Sequence, residues 1–210
     1  KAFAREGADL CLVDIQPTAA VAEEVRGVRR QAIEFLADVT DSFRVREIVR
    51  QTLDAFGRID ILVNVAGAAS FGSAEALTES EWDRMLAINV KSVFLCCQAV
   101  IAPMRAQRYG RIINIGSVVA KNGGNARPWI DREEQARAAN IAYAVAKAGV
   151  HALTIFLAKE LAVDGVTVNA VAPGPIAVAR RARLPLPQHL LSQIPVGRIG
   201  HPDDVAEAVV

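Results

Sequence analysis

Short apolar runs alternate with amphipathic stretches along most of the chain. The apolar runs are typical of buried strands and lie at Ala8–Asp14, Gln31–Asp38, Ile59–Val65, Arg111–Ser117 and Val166–Val171. The stretches between them carry apolar residues at helical spacing and lie at Thr18–Arg30, Ser42–Phe56, Glu79–Gln107, Asn140–Ala162 and Asp203–Val210. Strands that are apolar on both faces and alternate with helices indicate a parallel sheet covered on both sides. The pattern therefore predicts one doubly wound α/β domain.

Composition and charge narrow the possible functions. The 24 basic and 23 acidic side chains leave a net charge of +1, which gives no indication of a nucleic-acid partner or an anionic membrane surface. The longest runs without a charge, Ile61–Ala74 and Gly165–Ala179, are shorter than the roughly 18 residues of a membrane span. The three cysteines form no CxxC pair, so neither a disulfide framework nor a metal site is expected.

Parallel sheets bind ligands at the carboxyl ends of their strands, and two acidic residues fall there. Asp14 ends the first predicted strand, where its carboxylate can accept hydrogen bonds from ribose hydroxyls or serve as a cap or turn residue. Because no Lys or Arg follows before Glu23, a 2′-phosphate would meet a carboxylate without a local cation, which favours NAD over NADP. Asp38 ends the next strand, and helix capping and contact with an adenine are both open for it.

Three further features lie at or near the same sheet edge. The segment Asn64-Val65-Ala66-Gly67 follows a strand, and its small residues permit close approach of a bound nucleotide. Ser117 ends another strand, where its hydroxyl can bond a substrate carbonyl and stabilise developing charge. Asn89 interrupts an apolar helical run. Its amide either bonds neighbouring backbone or holds a water connected to Lys147.

Tyr143 and Lys147 form the pair of residues that most specifically indicates catalytic chemistry in this sequence. They are four residues apart in a predicted helix, so both side chains project from one face. A phenol titrates near pH ~10, too high for a base at neutral pH, but an ammonium one turn away lowers that pKa. Tyr143 could then take a proton from an alcohol or return one to a ketone.

Five segments, in this order, resemble the motifs of the short single-domain branch of the short-chain dehydrogenase/reductase family. They are N-V-A-G at 64–67, I-N-I-G-S at 113–117, Y-A-V-A-K at 143–147, N-A-V-A-P-G-P-I at 169–176 and P-V-G-R-I-G-H-P-D-D-V-A at 195–206. The resemblance covers essentially the whole chain and implies a Rossmann-like fold. It also implies a cytoplasmic enzyme, assembled as a homotetramer or homodimer, that transfers a hydride between NAD(H) and a secondary alcohol or ketone.

The resemblance assigns roles to individual residues. The implied catalytic residues are Asn89, Ser117, Tyr143 and Lys147. The implied cofactor-binding residues are Asp14, Asp38, Val39, Asn64, Ala66, Gly67, Tyr143, Lys147, Pro173, Gly174 and Ile176. In this assignment Lys147 bonds the nicotinamide ribose, and the backbone of Ile176 meets the carboxamide. Two alternatives are open: an NADP-dependent 3-oxoacyl or carbonyl reductase, and a non-catalytic nucleotide-binding regulator on the same fold.

Two features of the sequence depart from the family pattern. Val178 stands where the family often has Thr. Ser117 and Tyr143 are 26 positions apart, about twice the usual separation, which indicates an insertion within 121–140. We expect this insertion to form a lid over the substrate pocket, with Trp129 and Ile130 as apolar contacts to the substrate. Arg127 would then serve an anionic or polyhydroxylated substrate, and a short polar helix at Asp131–Ala139 would follow. A solvated surface loop and a subunit contact are the alternatives.

The pattern is interrupted at both ends. Lys1–Gly7 is typical of the last turns of a helix, and Val210 falls inside an apolar helical stretch. In a doubly wound fold a first strand and its Gly-rich turn precede such a helix. We therefore expect 1–210 to be a fragment of a dinucleotide-binding and catalytic domain. Its absent first strand would lie mid-sheet, between Ala8–Asp14 and Ile59–Val65.

Overall fold

The five predicted strands are all present, with ends that differ from the predictions by a few residues. The structure is a computed structural model that describes residues 1–123, 128–178 and 191–210. The strands are β1 (Leu10–Asp14), β2 (Ala32–Leu36), β3 (Ile61–Asn64), β4 (Gly110–Ile115) and β5 (Val166–Val171).

The predicted helices are present as well, joined by short elements that the sequence did not predict. They are α1 (Ala2–Arg5), α2 (Ala19–Gly27), α3 (Ser42–Phe56), α4 (Glu79–Leu86), α5 (Ser92–Gln107), α6 (Val119–Asn122), α7 (Arg132–Arg137), α8 (Ile141–Leu161) and α9 (Pro202–Val209). A π-helical turn at Ala87–Lys91 joins α4 to α5, and a 3-10 turn at Ala162–Asp164 follows α8. Strands and helices alternate as a doubly wound α/β domain requires.

Every strand pair is parallel. β1 pairs with β2, and β4 pairs with β3 on one side and β5 on the other. Within the described residues β1 and β3 do not pair, so the strands form one two-stranded and one three-stranded sheet. The expectation of a further strand between β1 and β3 stays a prediction.

The hydrophobic core lies between the larger sheet and the helices α5 and α8. Its buried residues are Val93, Cys97, Val100, Met104, Ile112, Val150, Leu157, Leu161, Val166 and Val168. By length and composition alone, Glu79–Gln107 and Ile141–Asp164 are apolar enough to cross a membrane. A search for uncharged runs in the sequence does not find these two helices, because each of them carries a few charged residues. Core helices of α/β domains pass the same test, and the expected absence of a membrane partner stays a prediction.

Pro103 lies inside α5 and does not end it. α5 continues to Gln107, and the chain leaves the helix at Arg108, which has φ 54°. Proline removes one backbone hydrogen bond from a helix. Here Val100 and Met104 are buried in the core on either side of Pro103, and this packing holds the following turn in place.

Candidate active site

The carboxyl ends of β3, β4 and β5 lie at one edge of the larger sheet, as parallel pairing requires. Backbone hydrogen bonds join the segments that leave this edge. The N–H of Gly116 donates to the carbonyl of Val171 (2.8 Å), and the N–H of Val118 donates to that of Pro173 (3.2 Å). The segment around Ser117 is therefore held beside the loop that follows β5.

Lys147 is the central charged group at this edge. Its side chain is 4% exposed, and its Nζ donates a 2.7 Å hydrogen bond to the carbonyl oxygen of Ile115 at the end of β4. The same Nζ lies 5.9 Å from the centroid of the Tyr143 ring, so the pair shares one helix face as predicted. Burial lowers the pKa of Lys147 from 10.5 to about 8. The ammonium is thus still the major form at pH 7, close to the phenol.

Asn89 lies in the π-helical turn and is fully buried. Its Nδ2 donates to the carbonyl of Met85 (3.1 Å), and its Oδ1 accepts from the N–H of Ala68 (3.2 Å). Of the two alternatives for this amide, bonding to neighbouring backbone is the one observed. The water relay to Lys147 stays a prediction.

Gly67 lies where Asn89 and Lys147 meet. A Cβ at this position would lie 2.9 Å from Asn89 Oδ1 and 3.7 Å from Lys147 Nζ. Any larger residue would push the Asn89 amide aside, so glycine is required for this packing. The neighbouring Ala66 is exposed, and Asn64 is buried with its side chain directed at Asn114 (2.8 Å). Asn64 therefore connects β3 to β4.

Ser117 follows β4 and is mostly buried. Its Oγ accepts a hydrogen bond from the N–H of Val119 (3.2 Å) at the start of α6, a helix that packs against α8. A hydroxyl that accepts one hydrogen bond can still donate its own proton. Tyr143 is half-buried in the first turn of α8. The arrangement gathers Ser117, Tyr143 and Lys147 around the ends of β4 and α8.

The two acidic residues at the other sheet both act as turn residues. Asp14 is exposed at the end of β1 and accepts a bond from the N–H of Gln16 (2.9 Å), and Thr18, not Asp14, is the N-cap position of α2. Asp38 accepts from the N–H of Thr40 (2.8 Å). The predicted alternative that Asp38 caps the following helix is wrong.

The residue that caps α3 is Asp41, which lies three positions further along. Its carboxylate accepts from the N–H groups of Phe43 and Arg44. The short turn after Asp38 moves the helix start away from that residue. Val39 in this turn is half-buried. Contacts of Asp14, Asp38 and Val39 with a nucleotide stay predictions.

The two C-terminal segments that carry the family resemblance pack against each other. Ile176 forms a parallel bridge with Gly200, and the N–H of Ala177 donates to the carbonyl of Gly200 (2.8 Å). The N–H of Gly200 in turn donates to the carbonyl of Pro175 (3.0 Å). Pro173 and Gly174 precede this bridge directly after β5, so the predicted cofactor loop lies beside Ser117.

The insertion ends against the loop that follows β3. Ala139 pairs with Phe71 in an antiparallel bridge, and the predicted polar helix is present as α7, with Asp131 as its cap. Trp129 is 38% exposed and Ile130 is 71% exposed. Arg127 lies outside the described residues. A cleft of 140 Å³ opens between the loop after β3, α4 and α8 and is lined by Ser70, Phe71, Ser73, Ala76, Leu77, Thr78, Glu81 and Asn140.

A buried polar network beneath the site was not found from the sequence. Asn114 in β4 accepts from Asn64 in β3 (2.8 Å) and donates to the Thr154 hydroxyl in α8 (2.9 Å). α8 is thus hydrogen-bonded to β4 at Thr154 and again at Lys147. Asn114 interrupts an apolar strand as Asn89 interrupts an apolar helix, and this signal could have revealed it.

His151 is packed against the segment that carries Ser117. A side chain at Gly116 would collide with the His151 imidazole. Within the described residues His151 Nε2 is buried without a hydrogen-bond partner, and burial and the charges of Lys121 and Lys147 lower the pKa of the imidazole. Among the described residues no cluster of His, Cys, Asp or Glu is arranged to hold a metal ion.

Comparison with known proteins identifies relatives that are all named as dehydrogenases or reductases. The profile of the family described as enoyl-(acyl carrier protein) reductase matches residues 1–210. The chain is 39% identical to (2S)-[(R)-hydroxy(phenyl)methyl]succinyl-CoA dehydrogenase subunit BbsD of Thauera aromatica, over 99% of this chain and 80% of that protein. It is 35% identical to the 3-oxoacyl-[acyl-carrier-protein] reductase FabG of Thermotoga maritima, over 99% and 81%.

Solved structures agree with these sequence relatives. A protein assigned to the short-chain dehydrogenases/reductases, from Burkholderia xenovorans, superimposes with a TM-score of 0.84 at 35% identity, over 98% of this chain and 77% of that one. The crystal structure of gox2181 gives 0.87 at 32% identity, over 99% and 79%. The chain therefore belongs to the short-chain dehydrogenase/reductase family and, with it, to the NAD(P)-dependent oxidoreductases that act on CH–OH groups.

Proposed function

We propose that this enzyme transfers a hydride between NAD(H) and a secondary alcohol or ketone carried on an acyl thioester. The observation that carries the proposal is the buried Lys147, which lies between the Ile115 carbonyl and the Tyr143 ring. Burying an ammonium costs free energy that the hydrogen bond to Ile115 offsets only in part, so its presence at this position favours a functional role. Here it stabilises negative charge on a phenol at the sheet edge where α/β domains bind ligands.

The residues at this edge fit a nicotinamide dinucleotide. Gly67 leaves no room for a Cβ beside Asn89 and Lys147, so the chain there presents bare backbone to a ligand. Lys147 has further ammonium protons to donate, suited to ribose hydroxyls. Asp14 presents an exposed carboxylate at the end of β1. We assign the ribose contacts to Lys147 and Asp14, and the carboxamide contact to the backbone of Ile176.

Each catalytic side chain then has one task. The bound nicotinamide supplies or accepts the hydride. The Ser117 hydroxyl donates a hydrogen bond to the substrate oxygen and orients it. Tyr143 gives its phenolic proton to that oxygen in the reducing direction and takes it back in the oxidising direction. Lys147 stabilises the resulting phenolate, and Asn89 positions the backbone at Ala68 and a water for proton return.

The thioester class comes from the named relatives. BbsD is named for a CoA thioester and FabG for an acyl-carrier-protein thioester, and both names describe a hydroxyl or ketone carbon. The test is loss of NADH or NADPH absorbance when the full-length protein is given 3-oxoacyl thioesters or, for comparison, simple ketones, and gain of that absorbance when NAD or NADP is supplied with polyols. Binding of NADH without turnover of any of them would favour the non-catalytic regulator.

We propose NAD as the preferred cofactor, because Asp14 carries a negative charge where a 2′-phosphate would lie. Asp14→Ala should raise the KM for NAD about tenfold, because the substitution removes a charged acceptor for the ribose hydroxyl. It should also narrow the preference of the enzyme for NAD over NADP, because the charge that repels a 2′-phosphate is lost. Steady-state kinetics with both cofactors measures the ratio. Asp14→Asn separates loss of the charge from loss of the turn, because its amide oxygen can still accept from the N–H of Gln16. If neither variant changes the ratio, Asp14 is a turn residue only.

We propose that the insertion within 121–140 borders the substrate pocket. The bridge between Ala139 and Phe71 supports this, since Phe71 lines the 140 Å³ cleft together with Asn140, the residue that caps α8. Trp129→Ala should raise the KM of the alcohol or ketone about tenfold, by removing a large apolar contact, and leave the KM for NAD unchanged. Glu133→Ala, an exposed change in α7, serves as control. Unaltered substrate kinetics for Trp129→Ala would leave the surface-loop interpretation standing.

We also propose a homotetramer or homodimer and a cytoplasmic location. α5 and α8 expose large apolar side chains, namely Phe94, Val145, Ile155 and Phe156, of which Phe156 is 68% exposed. Large apolar side chains exposed on these two helices favour a subunit interface. A monomeric mass in sedimentation of the full-length protein would contradict this assembly. The free Cys11, Cys96 and Cys97 suit a reducing compartment, which cell fractionation would test.

A further inference from the structure

Asn140 is a buried amide at the start of α8 that the proposed chemistry does not use. It is 2% exposed, and its Oδ1 accepts a hydrogen bond from the backbone N–H of Tyr143 (3.1 Å). Asn140 is therefore the N-cap of α8, and the N–H that it binds belongs to the proposed acid/base residue itself. The first turn of a helix frays when its cap is lost. Fraying at this point would move the Tyr143 phenol.

The other end of the Asn140 amide faces the loop after β3. Its Nδ2 donates to the Ser70 hydroxyl (2.8 Å), and its backbone N–H donates to the Ser70 carbonyl (2.9 Å). The Ser70 hydroxyl thus accepts from the Asn140 amide nitrogen while the amide oxygen accepts from Tyr143, so both ends of the Asn140 amide are held.

We propose that Asn140 is a positioning residue for Tyr143, acting through a hydrogen-bonded connection from the start of α8 to Ser70 in the loop after β3. This inference rests on the proposed function, because it assigns Asn140 to the placement of the proton that Tyr143 transfers. The connection runs from the Ser70 hydroxyl to the Asn140 amide, and from that amide to the N–H of Tyr143. It holds the start of α8 against the loop after β3 and the end of the insertion.

The experiment compares helix caps in the full-length enzyme. Asn140→Ala should lower kcat about tenfold or more, because a shift of about 1 Å in a reacting group is enough for such a loss. The KM for NADH should stay within about twofold, since the hydrogen bonds of Asn140 go to Ser70 and Tyr143 and not to the residues assigned to the cofactor ribose. Asn140→Ala should also lower the Tm. Asn140→Asp retains an acceptor for the Tyr143 N–H, so most of that decrease in Tm should be absent in this variant. Ser70→Ala keeps the cap but breaks the connection, and it should lower kcat to an intermediate value.

Asp41→Ala is the matched control, because Asp41 caps α3 in the same way through the N–H groups of Phe43 and Arg44. It should lower Tm about as much as Asn140→Ala and leave kcat at saturating cofactor unchanged. An equal loss of kcat in Asp41→Ala would mean general destabilisation and overturn the proposal, as would wild-type kcat in both Asn140→Ala and Ser70→Ala. If Asn140→Ala does not fold, Ser70→Ala and Asn140→Asp decide. Absence of turnover in the wild-type enzyme would instead contradict the proposed function.

Discussion

Tyr143→Phe should lower kcat by about three orders of magnitude or more while NADH still binds. The substitution removes one hydroxyl, and with it the proton that the substrate oxygen exchanges, and positioned acid–base groups contribute up to about 10⁴-fold. The ring is retained, so its contact with Lys147 Nζ at 5.9 Å and the packing of α8 should be preserved. Fluorescence titration with NADH and steady-state turnover measure the two properties separately.

Tyr109 offers a matched control, since it is the other tyrosine of the chain. Its ring lies 4.3 Å from the Arg111 guanidinium, a contact that phenylalanine also makes. Tyr109→Phe should therefore leave kcat and NADH affinity unchanged. If Tyr143→Phe retained more than a few per cent of wild-type turnover, the proton would come from another group and the assigned role would be wrong.

The placement of Ser117, Tyr143 and Lys147 in the structure could be predicted because it depends on local pattern. Strands apolar on both faces give a parallel sheet, and the ends of parallel strands meet at one edge, which brings Ser117 near the loop after β5. The separation of four residues between Tyr143 and Lys147 gives a shared helix face whatever the rest of the fold. Neither inference requires knowledge of register or of side-chain packing.

The π-helical turn at Ala87–Lys91 could not be predicted in the same way. Its residues have ordinary helical character, and the stretch Glu79–Gln107 reads as one continuous helix in the sequence. The wider turn is found together with a long-range contact, the hydrogen bond between Asn89 Oδ1 and the N–H of Ala68. Such turns occur often at functional sites. The sequence indicates only that Asn89 is a polar residue in an apolar run.

Polar connections across long stretches of chain were also missed. Asn64 bonds Asn114 across 50 positions, and Ser70 bonds Asn140 across 70. Each pair depends on strand register or on loop placement, which hydrophobic periodicity does not specify. Asp38 illustrates the same limit at short range. The choice between Asp38 and Asp41 as helix cap depends on one turn, and both residues suit either position.

Replacement of Lys147 should have opposite effects on turnover, which it lowers, and on the free energy of unfolding at pH 7, which it raises. Its described hydrogen bond goes to the Ile115 carbonyl, and burial lowers its pKa from 10.5 to about 8. Below about pH 8 both the folded and the unfolded chain carry the ammonium, so the folded state bears the full cost of burying it. Between pH 8 and 10.5 the folded chain loses this proton before the unfolded chain does. Stability therefore rises with pH across that window, as the penalty is relieved.

Lys147→Met should accordingly raise the free energy of unfolding at pH 7 and abolish turnover. The lowered pKa corresponds to about 3 kcal/mol, and the lost hydrogen bond to Ile115 offsets about 1 kcal/mol of that gain. Loss of the charge that stabilises the Tyr143 phenolate should reduce kcat by about a thousandfold. Denaturant unfolding at several pH values measures the first effect, and the stability advantage of the variant over wild type should be lost as the pH rises from 8 to 10.5. Lys159→Met, an exposed change in the same helix, should alter neither quantity. A Lys147→Met enzyme that is less stable than wild type at pH 7 would show that the ammonium is a net structural contributor, contrary to this account.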